Sequence, residues 1–410
     1  MSIGSIKRAE AGKNVLYRTV SSLAYFFNVS VAALIDEVPN SLWEYSTQQY
    51  PEITPCLGRT YELSQLQLLH QLSAKSRQSA CIYGASGVGK TNLISHFLRA
   101  TNEGRKYSLY VCAMKERPFL AHLIRVVLNL SEQLDDDRIR LTLNKIVQSP
   151  PVYFHLLKLM GLPLSRAETA ALEGLTSKRR NDTDVLALMV LIQSLKERNT
   201  AILVIDGLQN LDSREIAIVQ RLIQHTQSLP IFILLAATYP LLSSPLACVL
   251  QSAYLIPLKS LDDSAMTAVA DSIPFSCPIN GNPNSHKANA ISRSQGNPRI
   301  LKALLMSPHP VPPELVQMVQ KRITTLNSLE TKLLYFLVSI GQKIDIDEID
   351  QYLDSCRLTG IHQLNTLVSA GFLVPLADAY QFQYKVIWEA LRVHVRQERA
   401  NEVKSLHQAS

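Results

Sequence analysis

Eight consecutive residues, Gly84-Ala85-Ser86-Gly87-Val88-Gly89-Lys90-Thr91, set three glycines, a lysine and a hydroxyl in the pattern G-x-x-x-x-G-K-[ST]. A glycine-rich turn lets backbone amides close around a phosphate, and a helix starting straight after it adds the positive end of its dipole. Lys90 is then placed for the β- and γ-phosphates, and the Thr91 hydroxyl for Mg²⁺; Asn92 follows in the first helical turn. A magnesium ion on phosphates also needs a carboxylate nearby. Asp206, at the end of the apolar run Ala201–Ile205, supplies it. Thr238 ends a second apolar run, Ile231–Ala237, and at a strand tip it would stand beside the γ-phosphate; an ordinary strand-end threonine fits the same sequence. Arg299, opening a helix in Gly296-Asn297-Pro298-Arg299, can reach back toward phosphates, although a solvated first-turn arginine is the plainer alternative.

Lys90, Asp206 and Arg299 are the residues on which catalysis would rest. After Asp206 come Gly207, Leu208, Gln209 and Asn210, with no acid before Asp212 to orient a water. Binding of nucleotide is therefore expected, with hydrolysis slow or absent.

These residues need a scaffold, and the apolar runs provide one. Ala80–Tyr83, Ser108–Cys112, Ala201–Ile205, Ile231–Ala237 and Tyr254–Leu258 read as strands alternating with helical segments, the pattern of a parallel sheet with crossover helices. The motif follows the first of them directly and opens the helix Thr91–Ala100. The alternation covers about 58–260. A helical stretch runs to 306, interrupted by a Pro-, Gly- and Asn-rich loop (Pro274–Ser285). Four prolines within 307–313 predict a stiff hinge. Beyond it, a helix capped by Asn327 or Ser328, helices at Asp345–Leu353 and Ile361–Ala370, and a hairpin at Gly371–Tyr384 predict a winged helix. Residues 1–36 read as short helices and 37–57 as a polar, proline-containing linker.

Composition narrows the class. Of 410 residues, 47% are hydrophobic, 18% charged and 7% aromatic, which excludes a disordered or collagen-like chain. The longest apolar stretch, Ile231–Ala237, is far short of the roughly 18–20 residues that span a bilayer, and no basic-apolar-small leader opens the chain, so no membrane partner is expected. With 41 basic against 34 acidic residues, the net charge of +7 does not by itself establish nucleic-acid binding. The six cysteines are scattered without a C-x-x-C pair, which favours a reduced, cytoplasmic compartment and argues against zinc.

Several further motifs carry a resemblance. Leu57-Gly58-Arg59-Thr60-Tyr61-Glu62-Leu63 resembles the G-R-x-x-E-L box that precedes the phosphate loop in AAA+ and STAND ATPases. The stretch Leu156–Leu164 with Glu168 and Leu172 resembles the middle segment of the STAND ATPases of large LuxR-type regulators and cyclase-associated sensors. Gly296-x-Pro298 is similar to their lid motif, Gly296-x-x-Arg299 to the AAA+ sensor-2 pattern, and Tyr380–Leu391 to the end of their winged helix. The resemblance implies an α/β P-loop NTPase core with a parallel five-stranded sheet (58–260), a helical lid (261–306), a hinge (307–313), and a C-terminal winged helix with the start of a helical extension (314–410). It implies ATP or ADP with Mg²⁺ as ligand. The nucleotide contacts it implies are Arg59 near the adenine, the loop from Gly84 to Thr91, Asn92, Thr238, Pro298 and Arg299, with Thr91 and Asp206 on the metal.

The chain also departs from that family. Gly207 stands where a second acid usually follows, Pro240 lies in the neighbourhood of a usual arginine, and Tyr384 corresponds to a histidine that touches the bound diphosphate in many relatives. At the other end, Ser2–Gly12 resembles the recognition helix of a Cro/XRE-type helix-turn-helix, and residues from Thr19 to Ile35 its fourth and fifth helices. That resemblance implies DNA contacts by Ser2, Ser5, Lys7 and Arg8. Its first two helices have no counterpart here, so either the true start lies upstream or the domain has decayed, and an N-terminal helical cap on the ATPase fits the same residues. Glu398–Ser410 resembles the start of the helical-repeat region that follows the winged helix in the STAND relatives, which implies a chain cut at that end as well. Helix Ile361–Ala370 has no lysine or arginine, so it is expected to be a structural arm rather than a DNA reader.

Three functions fit. The first is a nucleotide-controlled, DNA-binding transcription switch; the second is an AAA+ helper of transposition or replication; the third is a degenerate nucleotide-binding scaffold. Self-association or a protein partner is compatible with all three.

Overall fold

Five apolar runs build the centre of the fold. The computed structural model describes residues 56–101, 107–113, 118–128, 130, 135–197, 200–238, 246–251, 253–273, 283–356 and 360–409, all within one compact unit, Thr54–Ser410. The runs become strands β1 (Gln78–Tyr83), β2 (Tyr107–Cys112), β3 (Thr200–Asp206), β4 (Phe232–Ala237) and β5 (Tyr254–Pro257). They form one parallel sheet in the order β2-β3-β4-β1-β5. β4 is buried along its whole length and β1 at all four inner positions. Strands covered on both faces have no solvent side, which is why their sequences are continuously apolar instead of alternating.

Register brings the chemistry to one edge. Tyr83 pairs with Ala237 and Asp206 with Ala236, so β1, β3 and β4 end almost level, just before Gly84, Gly207 and Thr238. A crevice outside the carboxyl ends of parallel strands, where neighbouring connections diverge, is where such sheets hold ligands.

Helices α1 (Thr60–Leu72) and α2 (Lys90–Thr101) flank β1. His70 of α1 meets Phe97 of α2 edge-on at 5.9 Å, and Phe97 meets Phe232 of β4 at 5.7 Å, fixing both helices to the sheet. Between β2 and β3 lie α3 (Phe119–Leu128), α4 (Asp136–Ile146), α5 (Pro150–Leu159), α6 (Arg166–Glu173) and α7 (Ser177–Glu197). Ser165 and Glu168 form a capping box at α6, and Arg140 of α4 pairs with Glu168 at 3.0 Å. α8 (Ser213–His225) follows β3, and α9 (Leu246–Leu250) precedes β5.

Past the sheet come α10 (Asp263–Ser272), α11 (Pro283–Ser294), α12 (Pro298–Met306), α13 (Pro313–Ile323), α14 (Ser328–Ile340), β6 (Lys343–Asp345), α15 (Ile346–Cys356), α16 (Ile361–Ser369), β7 (Leu373–Pro375), β8 (Ala379–Phe382) and α17 (Lys385–Ala409). The three short strands pair antiparallel in the order β6-β8-β7. Asn327 caps α14 in a full capping box with Glu330. One hydrophobic core runs from Leu261 to Val395 through these elements, with Leu57 and Ala85 packed against it. The proline-rich connection 307–312 lies within that body: Arg293 of α11 donates to the Pro310 carbonyl at 2.7 Å and pairs with Glu389 of α17 at 2.6 Å.

The N-terminal helices expected over 1–36, the linker up to residue 55, the candidate DNA contacts Ser2, Ser5, Lys7 and Arg8, and Pro240 lie outside the described residues. Among the described residues no helix is long and apolar enough to cross a membrane.

Candidate nucleotide-binding site

The loop Gly84–Gly89 joins the end of β1 to the start of α2, whose first turn carries no acidic residue to oppose an incoming anion. Lys90 curls back over it. Its Nζ donates to the carbonyls of Gly84 at 2.8 Å and Ala85 at 2.9 Å, and it makes no ion pair among the described residues. Burial pushes the Lys90 ammonium down to about 8 against the pull of Asp206. A half-buried lysine held over the loop by two carbonyls, with no ion pair among the described residues, suits a ligand that brings several negative charges.

Opposite the lysine stands the oxygen pair. Thr91 Oγ1 donates to Asp206 Oδ2 at 2.8 Å, and the Tyr110 hydroxyl from β2 donates to the same oxygen at 2.9 Å. Asp206 is only 7% exposed, so these donors hold a carboxylate that water barely reaches. A hydroxyl and a carboxylate in contact are hard oxygen donors. They fit Mg²⁺, which takes few protein ligands and completes its shell with water and phosphate oxygens. Thr91 and Asp206 would hold the ion, which when bound offsets phosphate charge.

Gly207 shows why no acid follows Asp206. Its φ of 89° is left-handed, and a Cβ there would lie 2.7 Å from the Ala113 carbonyl oxygen. Asn210 secures this turn by donating to the same carbonyl at 2.7 Å. Asp212, the next acid, is taken up as the cap of α8, accepting from the Glu215 amide at 2.8 Å. Gln209 instead faces the β4 tip: its Oε1 accepts from the Thr238 amide at 3.1 Å.

The third side of the site comes from α12. Asn297 caps that helix through Oδ1, accepting from the amides of Arg299 and Ile300, while its Nδ2 donates to the Ser86 carbonyl at 2.9 Å. The Arg299 amide lies 3.4 Å from the Gly87 carbonyl. This approach needs Gly87, because a Cβ there would sit 2.7 Å from Asn297 Oδ1 and 2.9 Å from Arg299 Cβ. Pro298 occupies the first turn of α12, where its missing N–H leaves nothing unsatisfied. Arg299 is exposed, and its guanidinium has no hydrogen bond or ion pair among the described residues. Tyr384 is buried; burial pushes its phenol up, against the opposing pull of the Asn297 and Ser260 side chains.

Arg59 lies beneath the loop. It is 6% exposed and donates to the carbonyls of Val88 at 3.2 Å and Lys259 at 2.6 Å, with Glu62 paired at 3.1 Å. It braces the phosphate loop from behind. The fold thus joins Lys90 to the loop, Thr91 to Asp206, and the start of α12 at Asn297 and Arg299 to Ser86 and Gly87, while Asn92 follows Thr91 in α2, Pro298 lies between Asn297 and Arg299, and Thr238 follows β4 beside Gln209. Tyr110, Gln209 and Asn297 join them without having been singled out as ligands. Asn297 had a local signal, an Asn before Pro at a helix start. Tyr110 and Gln209 had none, since their roles depend on which strands neighbour each other.

Residues 55–234 match the family model of the AAA ATPase domain, and the parallel five-stranded sheet with its phosphate loop has the P-loop NTPase fold. No curated protein matches the chain. Among solved structures it is similar to a Walker-type ATPase of Pyrococcus abyssi, at 15% identity and a TM-score of 0.47 over 82% of this chain and 95% of that one. It is also similar to domain III of the Thermotoga maritima replication initiation protein DnaA, at 11% identity and a TM-score of 0.34 over 70% and 93% of the two chains. A Thermotoga maritima RuvB aligns at 14% identity and a TM-score of 0.36 over 82% and 95%.

Proposed function

We propose, on the premise of an AAA ATPase domain over residues 55–234, that this chain is an ATP-binding switch of the STAND type. In this reading ATP with Mg²⁺ sits between Lys90, Thr91, Asp206 and Arg299, is hydrolysed slowly or not at all, and sets the activity of a DNA-binding transcription regulator. Residues 314–410 would be a winged helix acting as a structural arm together with the start of a helical extension, and Ser2, Ser5, Lys7 and Arg8 of the N-terminal helix-turn-helix would meet DNA.

The observation that carries the switch is the double use of Asn297. One side chain caps α12 and holds the Ser86 carbonyl of the phosphate loop, so a change in that loop is felt directly by the C-terminal body. A ligand moves an equilibrium only through its differential affinity for the two states. Arg299, beside Gly87, offers such a difference between a triphosphate and a diphosphate. Slow turnover is supported by Gly207, whose backbone leaves no room for the acid that would orient water.

Footprinting on genomic DNA with ATP–Mg²⁺, with ADP and without nucleotide tests the proposal. Sequence-specific protection that changes with the nucleotide and is lost in Lys7→Ala/Arg8→Ala supports it. Length-dependent, sequence-independent binding that requires ATP would replace it with a DNA-handling ATPase. No DNA binding, together with tightly held ADP, would replace it with a scaffold.

A further inference from the structure

Asp206 is held from two sides, and only one of them belongs to the phosphate loop and its helix. Thr91 and Tyr110 both donate to Oδ2, at 2.8 and 2.9 Å, and among the described residues no group donates to the other carboxylate oxygen, Oδ1. The carboxylate is 7% exposed, so fixed protein donors set its direction more than bulk water does.

The two donors differ in what carries them. Thr91 lies in the first turn of α2, directly behind the loop, and its oxygen is the one that would serve Mg²⁺. Tyr110 lies on β2, a strand of the sheet and no part of the loop. β2 pairs with β3 so that Tyr110 stands opposite Val204 and Cys112 opposite Asp206. Alternate residues share a face of a strand, so Tyr110 stands one same-face step short of Asp206, and the length of a tyrosine brings its hydroxyl to the carboxylate. A phenylalanine would fill that place equally well as packing; the hydroxyl is what reaches Asp206. A neutral donor on a carboxylate orients it without cancelling its charge. Because both donors share Oδ2, the acceptor capacity of Oδ1 is left to an ion or to a water of the ion's shell. Metal-binding carboxylates are commonly oriented by such outer hydrogen bonds.

We propose that Tyr110 is a positioning residue of the magnesium site: its hydroxyl holds Asp206 in place from the sheet while the Thr91 oxygen serves the ion, and so sets how far Mg²⁺ strengthens ATP binding. This rests on the reading of Gly84–Thr91 and Asp206 as a nucleotide and magnesium site. The grip of the loop and Lys90 on phosphate does not pass through Tyr110.

Calorimetry of ATP with Mg²⁺ and with EDTA tests it on the full chain, using the unaltered protein and Tyr110→Phe, which keeps the ring and removes the hydroxyl. The gain in ATP affinity that Mg²⁺ brings should shrink by about tenfold or more in Tyr110→Phe, while the affinity in EDTA stays as it was. In an Asp206→Asn background, Tyr110→Phe should cause no further loss with Mg²⁺. Equal losses with Mg²⁺ and with EDTA overturn the proposal, as does a lowered nucleotide-free Tm with the magnesium gain intact, since either makes the hydroxyl structural. A further loss in the Asp206→Asn background overturns it too, because the hydroxyl would then act elsewhere. ATP binding by the unaltered protein that Mg²⁺ strengthens and Lys90→Ala removes keeps the site reading intact whatever Tyr110→Phe does. Absence of any magnesium gain in the unaltered protein overturns both.

Discussion

Asn297 Nδ2 donates to the Ser86 carbonyl at 2.9 Å, joining residues 211 positions apart in the sequence. This bond makes the phosphate loop and the start of α12 one mechanical unit, since the other end of the same side chain caps the helix.

Two substitutions separate those duties. Asn297→Asp retains the cap but removes the donor and sets a negative charge beside Gly87. It should lower ATP affinity about tenfold or more while sparing most of the nucleotide-free stability. Asn297→Ala loses the cap, at about 1 kcal/mol, and also orphans the Ser86 carbonyl, at about 1–3 kcal/mol. Thermal denaturation and calorimetry on both variants check this; equal ATP affinity in Asn297→Asp would contradict it.

Gly207→Asp restores an acid after Asp206 and should still not produce a faster ATPase. The left-handed backbone alone should cost roughly 1–3 kcal/mol, and the collision with the Ala113 carbonyl adds to it. Urea unfolding should show the loss and a phosphate-release assay no gain. A variant as stable as the parent and faster in hydrolysis would show that the turn is not restrictive.

Lys90 gives nucleotide binding a pH dependence of definite sign. Free, its ammonium titrates near 8; bound phosphate favours the charged form and raises that value. Above about pH 8, binding therefore takes up a proton and affinity falls as pH rises, by up to about tenfold per pH unit. Folding responds in the opposite sense. An unfolded lysine titrates near ~10.4, so between about 8 and that value the unfolded chain binds the extra proton and this group's contribution to stability rises with pH. Calorimetry at pH 9 in two buffers of different ionisation enthalpy measures the proton uptake; no buffer dependence would remove Lys90 from the phosphates.

Much of the core was legible because it is written locally. The five expected strands all form, within two residues of their expected ends; β1, β3 and β4 are covered on both faces and read as unbroken apolar runs, whereas the edge strands β2 and β5 are only partly buried. The phosphate loop and Asp206 were legible because strand, turn and helix follow one another directly. What could not be read depends on neighbours distant in sequence. Tyr110 matters because β2 lies beside β3. Arg59 was expected at the adenine, and its observed bonds brace Val88 and Lys259, a role that no spacing reveals.

Isothermal calorimetry of ATP with and without Mg²⁺ on the unaltered chain, Lys90→Ala and Asp206→Ala tests the grip on phosphate most directly. Saturable binding should be abolished in Lys90→Ala and should lose only its magnesium-dependent part in Asp206→Ala. Undiminished affinity in Lys90→Ala would contradict the account.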